Sequence, residues 1–158
     1  MSTIQRKLNT KLCVLYLVAS ETNLKGVFWD KQPVPMENND LDAAILILNK
    51  TEQQLKEYLE GKRKNFNLSI EADGTVFQKR VWAKLSNIPY GTTCAYKDIA
   101  IELQDKNASR AVGTANGRNP LSIIVPCHRV ISADGSLGGY AGGLDIKKKL
   151  LDLEKKSK

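Results

Sequence analysis

The stretch Lys97-Asp-Ile-Ala-Ile-Glu-Leu-Gln-Asp-Lys-Asn-Ala-Ser-Arg-Ala-Val-Gly-Thr-Ala-Asn116 decides the second half of the fold. Apolar residues recur at helical spacing on both sides of the polar Gln104-Asp-Lys-Asn107. Two short helices, Lys97 to Leu103 and Ala108 to about Asn116, therefore flank a turn in the outline of a helix-turn-helix. The second helix is odd in composition: Ala108, Ser109, Ala111, Gly113, Thr114, Ala115 and Gly117 are all small. A glycine inside a helix costs about 1 kcal/mol relative to alanine. Two explanations stand: close packing against another helix, or a need for slimness. An ordinary helix is about 10–12 Å across and the DNA minor groove about 6 Å wide, so small side chains with one long cation, Arg110, suit insertion there.

Outward from this stretch, Thr75 caps a helix with Phe77, Val81, Trp82 and Leu85 on one face, followed by the turn Ile88-Pro-Tyr-Gly91. A last helix runs from Leu144 to about Lys155. On the N-terminal side, Leu12–Val18 and Leu24–Trp29 are short, β-branched and aromatic, and form a hairpin around Ala19-Ser-Glu-Thr-Asn23. Pro33 to Asn39 is a loop, Leu41 to Glu60 is helical in one or two pieces, and Phe66–Ile70 alternates like a strand. The polar turn Glu71–Gly74 is the expected boundary. The chain is thus expected to be α+β (α/β): residues 1–74 a small mixed or antiparallel sheet with a helix, packed on a mainly helical domain of residues 75–158.

With 158 residues, 42% apolar and 26% charged, the chain can build a core, and disorder is excluded as its main state. It holds no run of about 18 apolar residues, and Met1–Lys7 lacks the apolar core of a secretory signal, so a soluble cytoplasmic protein with no membrane partner is expected. Residues 1–74 hold ten basic and ten acidic residues, whereas residues 75–158 hold fourteen and seven. The net charge of +7 therefore belongs to the second half, where a localised positive field favours a polyanion such as nucleic acid. The runs Lys147–Lys149 and Lys155–Lys156 are read as solvated helix faces.

Cys13, Cys94 and Cys127 are odd in number and far apart, which fits neither a disulfide framework nor a zinc ribbon. Cys13 and Cys94 read as inert core thiols. Cys127, in Ile123-Ile-Val-Pro-Cys-His-Arg-Val-Ile131, differs: Pro126 breaks strand pairing, and two potential cations, His128 and Arg129, follow at once. A free thiol is only a few per cent thiolate at neutral pH, so a fast nucleophile needs a positioned base or cation. His128 is the only imidazole in the chain. In extended backbone it would point away from Cys127, so it must act through a water or a bent backbone, and an acid must orient it. Spacing leaves Asp134, Asp145, Asp152 and Glu154 open for that role.

The segments Phe77-Gln-x-x-Val-Trp82, Ile88-Pro-Tyr-Gly91, Tyr96, Ser109-Arg-Ala-Val-Gly113, Asn119-Pro120, Ile124-Val-Pro-Cys-His-Arg-Val130 and Gly138-Gly-Tyr-Ala-Gly-Gly143 resemble the O6-alkylguanine-DNA alkyltransferases. Residues 75–154 resemble the family densely. Leu55-x-x-Tyr58 and Gly61-Lys-Arg-Lys-x-Phe66 extend the likeness weakly into the first half. The resemblance implies a ribonuclease H-like N-terminal domain and a winged-helix-like C-terminal one. It implies direct-reversal repair of double-stranded DNA, with the methyl or alkyl group of O6-alkylguanine moving irreversibly to Cys127 after base flipping. His128 would be the base, linked to the cysteine through a water, with Glu154 its carboxylate partner. Tyr96 would protonate the leaving guanine and crowd the flipped nucleotide's phosphate. Arg110 would fill the gap in the duplex, and Asn119 would tie the helix-turn-helix to the active-site loop.

The same likeness makes Ser109, Ala111, Gly113, Thr114, Ala115 and Arg129 expected DNA contacts, on the minor-groove side. Pro126, Val130, Gly138, Tyr140, Ala141 and Ser122 are the expected pocket residues. Ser122 stands where other members carry proline or alanine, and Ala141 where some carry serine at the pocket rim. The protein is expected to be a monomer without cofactor. Some members bind zinc through cysteines and histidines of the first half; here that half has only Cys13 and no histidine, so no metal site is expected. Two other readings are weaker. A lesion-binding module without repair has no use for Cys127, and a thiol hydrolase lacks a local oxyanion motif.

Overall fold

The computed structural model describes residues 2–38 and 42–158. The chain divides into two compact units, Met1–Ala72 and Asp73–Lys158. The first is a three-stranded antiparallel sheet, β1 (Ile4–Asn9), β2 (Val14–Ala19) and β3 (Leu24–Phe28), in the order β1-β2-β3, with one helix, α1 (Asp42–Leu59). The core lies between them. Leu15 and Leu17 of β2, Leu24 and Val27 of β3, and Ala44, Leu48, Leu55 and Tyr58 of α1 are all buried, four helical positions on one face. The expected hairpin is β2–β3, and the helix is one continuous piece. Asn39 of the expected loop and Leu41 at the expected helix start lie outside the described residues.

Two expectations for this unit need correction. The first strand was not foreseen, because it carries a polar residue inward: Gln5 is fully buried, its side chain donating to the carbonyls of Gln32 (2.7 Å) and Val34 (2.6 Å) and accepting from Gln32 N (3.1 Å). The segment Phe66–Ile70 makes a single parallel bridge, Ile70 to Leu24, and is no strand. The backbone of Asn67 pairs instead with the buried amide of Gln54, which donates to its carbonyl (3.1 Å) and accepts from its N–H (2.9 Å).

The second unit opens with α2 (Val76–Leu85), capped by a reciprocal box in which the Thr75 hydroxyl accepts from Gln78 N and the Gln78 side chain accepts from Thr75 N. Then follow the two-residue strand β4 (Cys94–Ala95), α3 (Tyr96–Glu102), α4 (Ser109–Gly117), a 3₁₀ turn (Cys127–Arg129), β5 (Val130–Ile131), which pairs parallel with β4, and α5 (Leu144–Ser157). The helices α3 and α4 form the expected helix-turn-helix, with Ile99, Ala100, Leu103, Ala108 and Val112 buried between them and α2. Trp82 Nε1 donates to Ala115 O (2.9 Å) and locks α4 to α2. Among the described residues no helix is long and apolar enough to cross a membrane.

Candidate active site

The slimness of α4 is not explained by packing inside the protein. A Cβ added at Gly117 would meet nothing within 4 Å, and one at Gly113 would make ordinary contact with the Tyr96 ring at 3.7 Å. Arg110, Ala111 and Thr114 face solvent, while Val112, Ala115 and Asn116 face inward. Arg110 borders two clefts. One, of about 710 Å3, is lined by Tyr96, Ser109, Arg110, Gly113, Thr114 and Asn116 on one side and Gly138, Tyr140 and Ala141 on the other. The second, of about 590 Å3, lies between Phe77 and Gln78 of α2 and the Arg110, Ala111 and Thr114 positions of α4.

Cys127 belongs to the larger cleft's foundations. It is 4% exposed and begins the 3₁₀ turn. Two asparagines hold that turn: Asn119 Nδ2 donates to Val125 O (2.8 Å) while its Oδ1 accepts from Leu121 N (3.0 Å), and Asn116 Nδ2 of α4 donates to Cys127 O (3.2 Å). The loop before it is strained, since buried, β-branched Ile123 sits at φ +72°. Such a conformation costs on the order of 1–3 kcal/mol and persists only where the surroundings impose it. Gly138, at φ +71°, closes the other wall: a Cβ there would stand 2.7 Å from the Tyr96 hydroxyl.

The neighbouring charges form one buried cluster. His128 is fully buried and its Nε2 lies 2.7 Å from Glu154 Oε2. Arg129 Nε and Nη2 donate to Glu154 Oε1 (2.8 Å) and Oε2 (2.9 Å), and Arg129 Nη1 donates to Ile88 O (2.7 Å). Gly91 N adds a donor to Oε1 at 3.3 Å. The carboxylate accepts a hydrogen bond from the Nε2–H of a neutral imidazole, which leaves Nδ1 as the basic nitrogen. Burial holds the His128 pKa below its ordinary value, against the pull of Glu154.

Burial also pushes the Cys127 thiol up, and four contributions oppose it: a hydrogen bond from Asn119, the positive charge of Lys147, the residue's own backbone N–H, and a hydrogen bond from Tyr140. Lys147 is fully buried. Its ammonium donates to Val130 O (2.7 Å), Gly139 O (3.2 Å) and Leu137 O. Burial brings its pKa down to about 8, with the Cys127 charge resisting. Tyr96 is held above its ordinary pKa by burial and by Cys127, so it keeps its proton at neutral pH.

The residues of the second unit are matched by the model for the 6-O-methylguanine DNA methyltransferase DNA-binding domain over 76–156, and those of the first by its ribonuclease-like domain over 4–72. The methylated-DNA–protein-cysteine methyltransferase of Methanosarcina mazei is 49% identical over 147 residues, covering 89% of either chain. This chain belongs to that family.

The Methanosarcina barkeri member is 56% identical over 102 residues, and there the chain spans 65% of the relative's length. The O6-methylguanine methyltransferase of Mycobacterium tuberculosis superposes with a TM-score of 0.84 at 36% identity, over 99% of this chain and 94% of that one; the same protein crystallised with DNA gives 0.86, over 97% and 93%. Within this methyltransferase fold the structure brings Cys127, Asn119, Tyr96 and Tyr140 together, and couples His128 to Glu154 rather than to Asp134, Asp145 or Asp152.

Four expectations are corrected. Arg129, expected on DNA, is 7% exposed and committed to Glu154 and Ile88. Ala115, also expected there, is buried, its carbonyl holding Trp82. Lys147, read as part of a solvated run, is inside. Ser122, Pro126 and Val130 are buried and do not line the larger cleft. Asn116 and Lys147 were missed. The signal for Lys147 was its helical register with Leu150 and Glu154, three and seven residues on, which puts all three on the buried face of α5.

Proposed function

We propose that this protein repairs duplex DNA by taking the alkyl group of O6-alkylguanine irreversibly onto Cys127, as a monomer in the cytoplasm and without a cofactor. Residues 75–158 carry the DNA binding and the chemistry, and residues 1–74 are structural. The observation that carries the reading is that the nucleophile hangs from the DNA-reading helix: Asn116 of α4 holds the Cys127 carbonyl, and one cleft joins that helix to the walls around the thiol.

The exposed face of α4 enters the minor groove, where its glycines leave the helix thin, and Arg110 fills the space that the extruded nucleotide vacates. Extrusion costs a few kcal/mol and is needed because O6 lies inside the stack. The Cys127 proton passes through a water to Nδ1 of His128, whose positive charge Glu154 stabilises. The sulfur lone pair then forms the S–C bond as the C–O6 bond breaks, and that electron pair leaves on guanine. Tyr96, kept protonated in its buried position, supplies the proton that neutralises the departing base. A thioether is a poor leaving group, so the product is final. No released small molecule or electron carrier is required.

Incubated with excess duplex bearing one O6-methylguanine, the protein is expected to consume one equivalent of lesion and stop. Continued turnover would indicate a thiol hydrolase, and tight binding with no consumption would indicate a lesion-flagging module.

A further inference from the structure

The turn Ile88-Pro-Tyr-Gly91 closes on the buried charge cluster with three of its four residues. Ile88 O accepts from Arg129 Nη1 at 2.7 Å, the Arg129 guanidinium carbon stands over the Tyr90 ring, 5.5 Å from its centroid, and Gly91 N donates to Glu154 Oε1 at 3.3 Å. Gly91 bends the chain there at φ +77°, where only glycine is free of strain. The Tyr90 hydroxyl hydrogen bonds with Ser157 at the end of α5, which anchors the tip of the ring. An aromatic face attracts a cation within about 6 Å of its centroid, the more strongly where water is excluded. Arg129 is such a cation, buried beside the ring. The face offers no lone pair, so it draws the guanidinium without taking any of the hydrogen bonds that go to Glu154 and Ile88. A carboxylate or carbonyl in the same place would compete for them.

Resting on the alkyl-transfer reading above, we infer that Tyr90 is a positioning residue for the reaction: its ring holds the Arg129 guanidinium on Glu154, and through that pair it keeps the imidazole of His128 in the form that accepts the thiol proton. Three charged groups act on this imidazole. Glu154 of α5 favours its protonated form, and Arg129 of the 3₁₀ turn and Lys147 of α5 disfavour it. Only the balance between Glu154 and Arg129 passes through Tyr90. When the guanidinium is loosened, the carboxylate is less neutralised and the buried imidazole takes a proton at higher pH. A protonated His128 has no site for the Cys127 proton, so transfer fails at a higher pH than in the wild type.

The test is the pH profile of single-turnover transfer from an O6-methylguanine duplex, from about pH 4.5 to 8. The wild-type rate is expected to fall on the acid side with a midpoint below 6.5. Tyr90→Leu keeps apolar bulk without an aromatic face and should move that midpoint up by about one pH unit, about a tenfold loss of rate on the acid side. Tyr90→Phe keeps the face without the hydroxyl and should retain the wild-type midpoint. Tyr90→pentafluorophenylalanine keeps the shape of the Phe variant but reverses the charge of the ring face; it should shift the midpoint as Tyr90→Leu does, and it serves alone if the leucine variant does not fold. A fluorinated variant with the midpoint of Tyr90→Phe, a Tyr90→Phe midpoint shifted as far as that of Tyr90→Leu, or a Tyr90→Leu rate lowered equally at every pH overturns the assignment while leaving alkyl transfer standing. Failure of the wild type to accept methyl from the duplex overturns both.

Discussion

Arg129→Met is expected to destabilise the protein by about 3–5 kcal/mol, the usual result of removing one partner from a buried ion pair. The guanidinium gives two hydrogen bonds to Glu154 and one to Ile88 O; without it the carboxylate, 1% exposed, loses both of those bonds while staying buried against His128 and the Gly91 N–H. Urea unfolding at neutral pH measures the difference. A loss under about 1 kcal/mol, the range of exposed pairs, would show that Glu154 does not depend on the pair.

The substitution also has a pH signature. In the native protein His128 titrates below 6.5, so under acid conditions the unfolded chain binds a proton that the folded one refuses, and stability rises with pH up to about 6.5. Removing Arg129 takes away a positive charge that helps keep the imidazole neutral. The folded pKa of His128 then rises, and the stability lost by the variant is greatest above that pKa and smaller on its acid side.

Lys147→Met is expected to slow transfer about 10- to 100-fold at pH 7, equivalent to one or two units added to the thiol pKa. The direction follows from the charge: the ammonium lowers the Cys127 pKa, so its removal shifts the rise of rate with pH to higher pH. The deficit should shrink as pH increases, first because the variant's thiol begins to ionise, and second because Lys147 in the wild type loses its own proton near pH 8. Single-turnover rates from pH 6.5 to 9.5 read this. A deficit constant across the range would mean that Lys147 acts only as a tether between Val130, Leu137 and Gly139, and no deficit at all would remove it from the site.

The two residues behind these predictions also mark what was illegible in the sequence. The helix-turn-helix, the capped α2 and the nucleophile depend on local signals: a polar turn between periodic segments, a capping threonine, a cysteine after a proline that breaks strand pairing. Arg129 and Lys147 are charged side chains whose burial is decided by partners 25 and 17 residues away in the chain, Glu154 and Val130, and no window around either residue contains that information. The same holds for Gln5, whose burial hid β1, and for Gln54, which captured the backbone of a segment that alternates like a strand. The position of His128 was legible only as a conflict, an imidazole beside a thiol in extended chain. The 3₁₀ turn resolves it by bending the backbone at that point, and Glu154 on α5 fixes the ring.

The central claim is that the sulfur of Cys127 is the terminal acceptor of the alkyl group. Peptide mass analysis after reaction with an O6-methylguanine duplex measures this directly. The expected result is one methyl group on the peptide carrying Cys127, none on those carrying Cys13 or Cys94, and no transfer by a Cys127→Ser protein that still binds DNA. Methyl on another residue, or lesion loss that persists in Cys127→Ser, would contradict it.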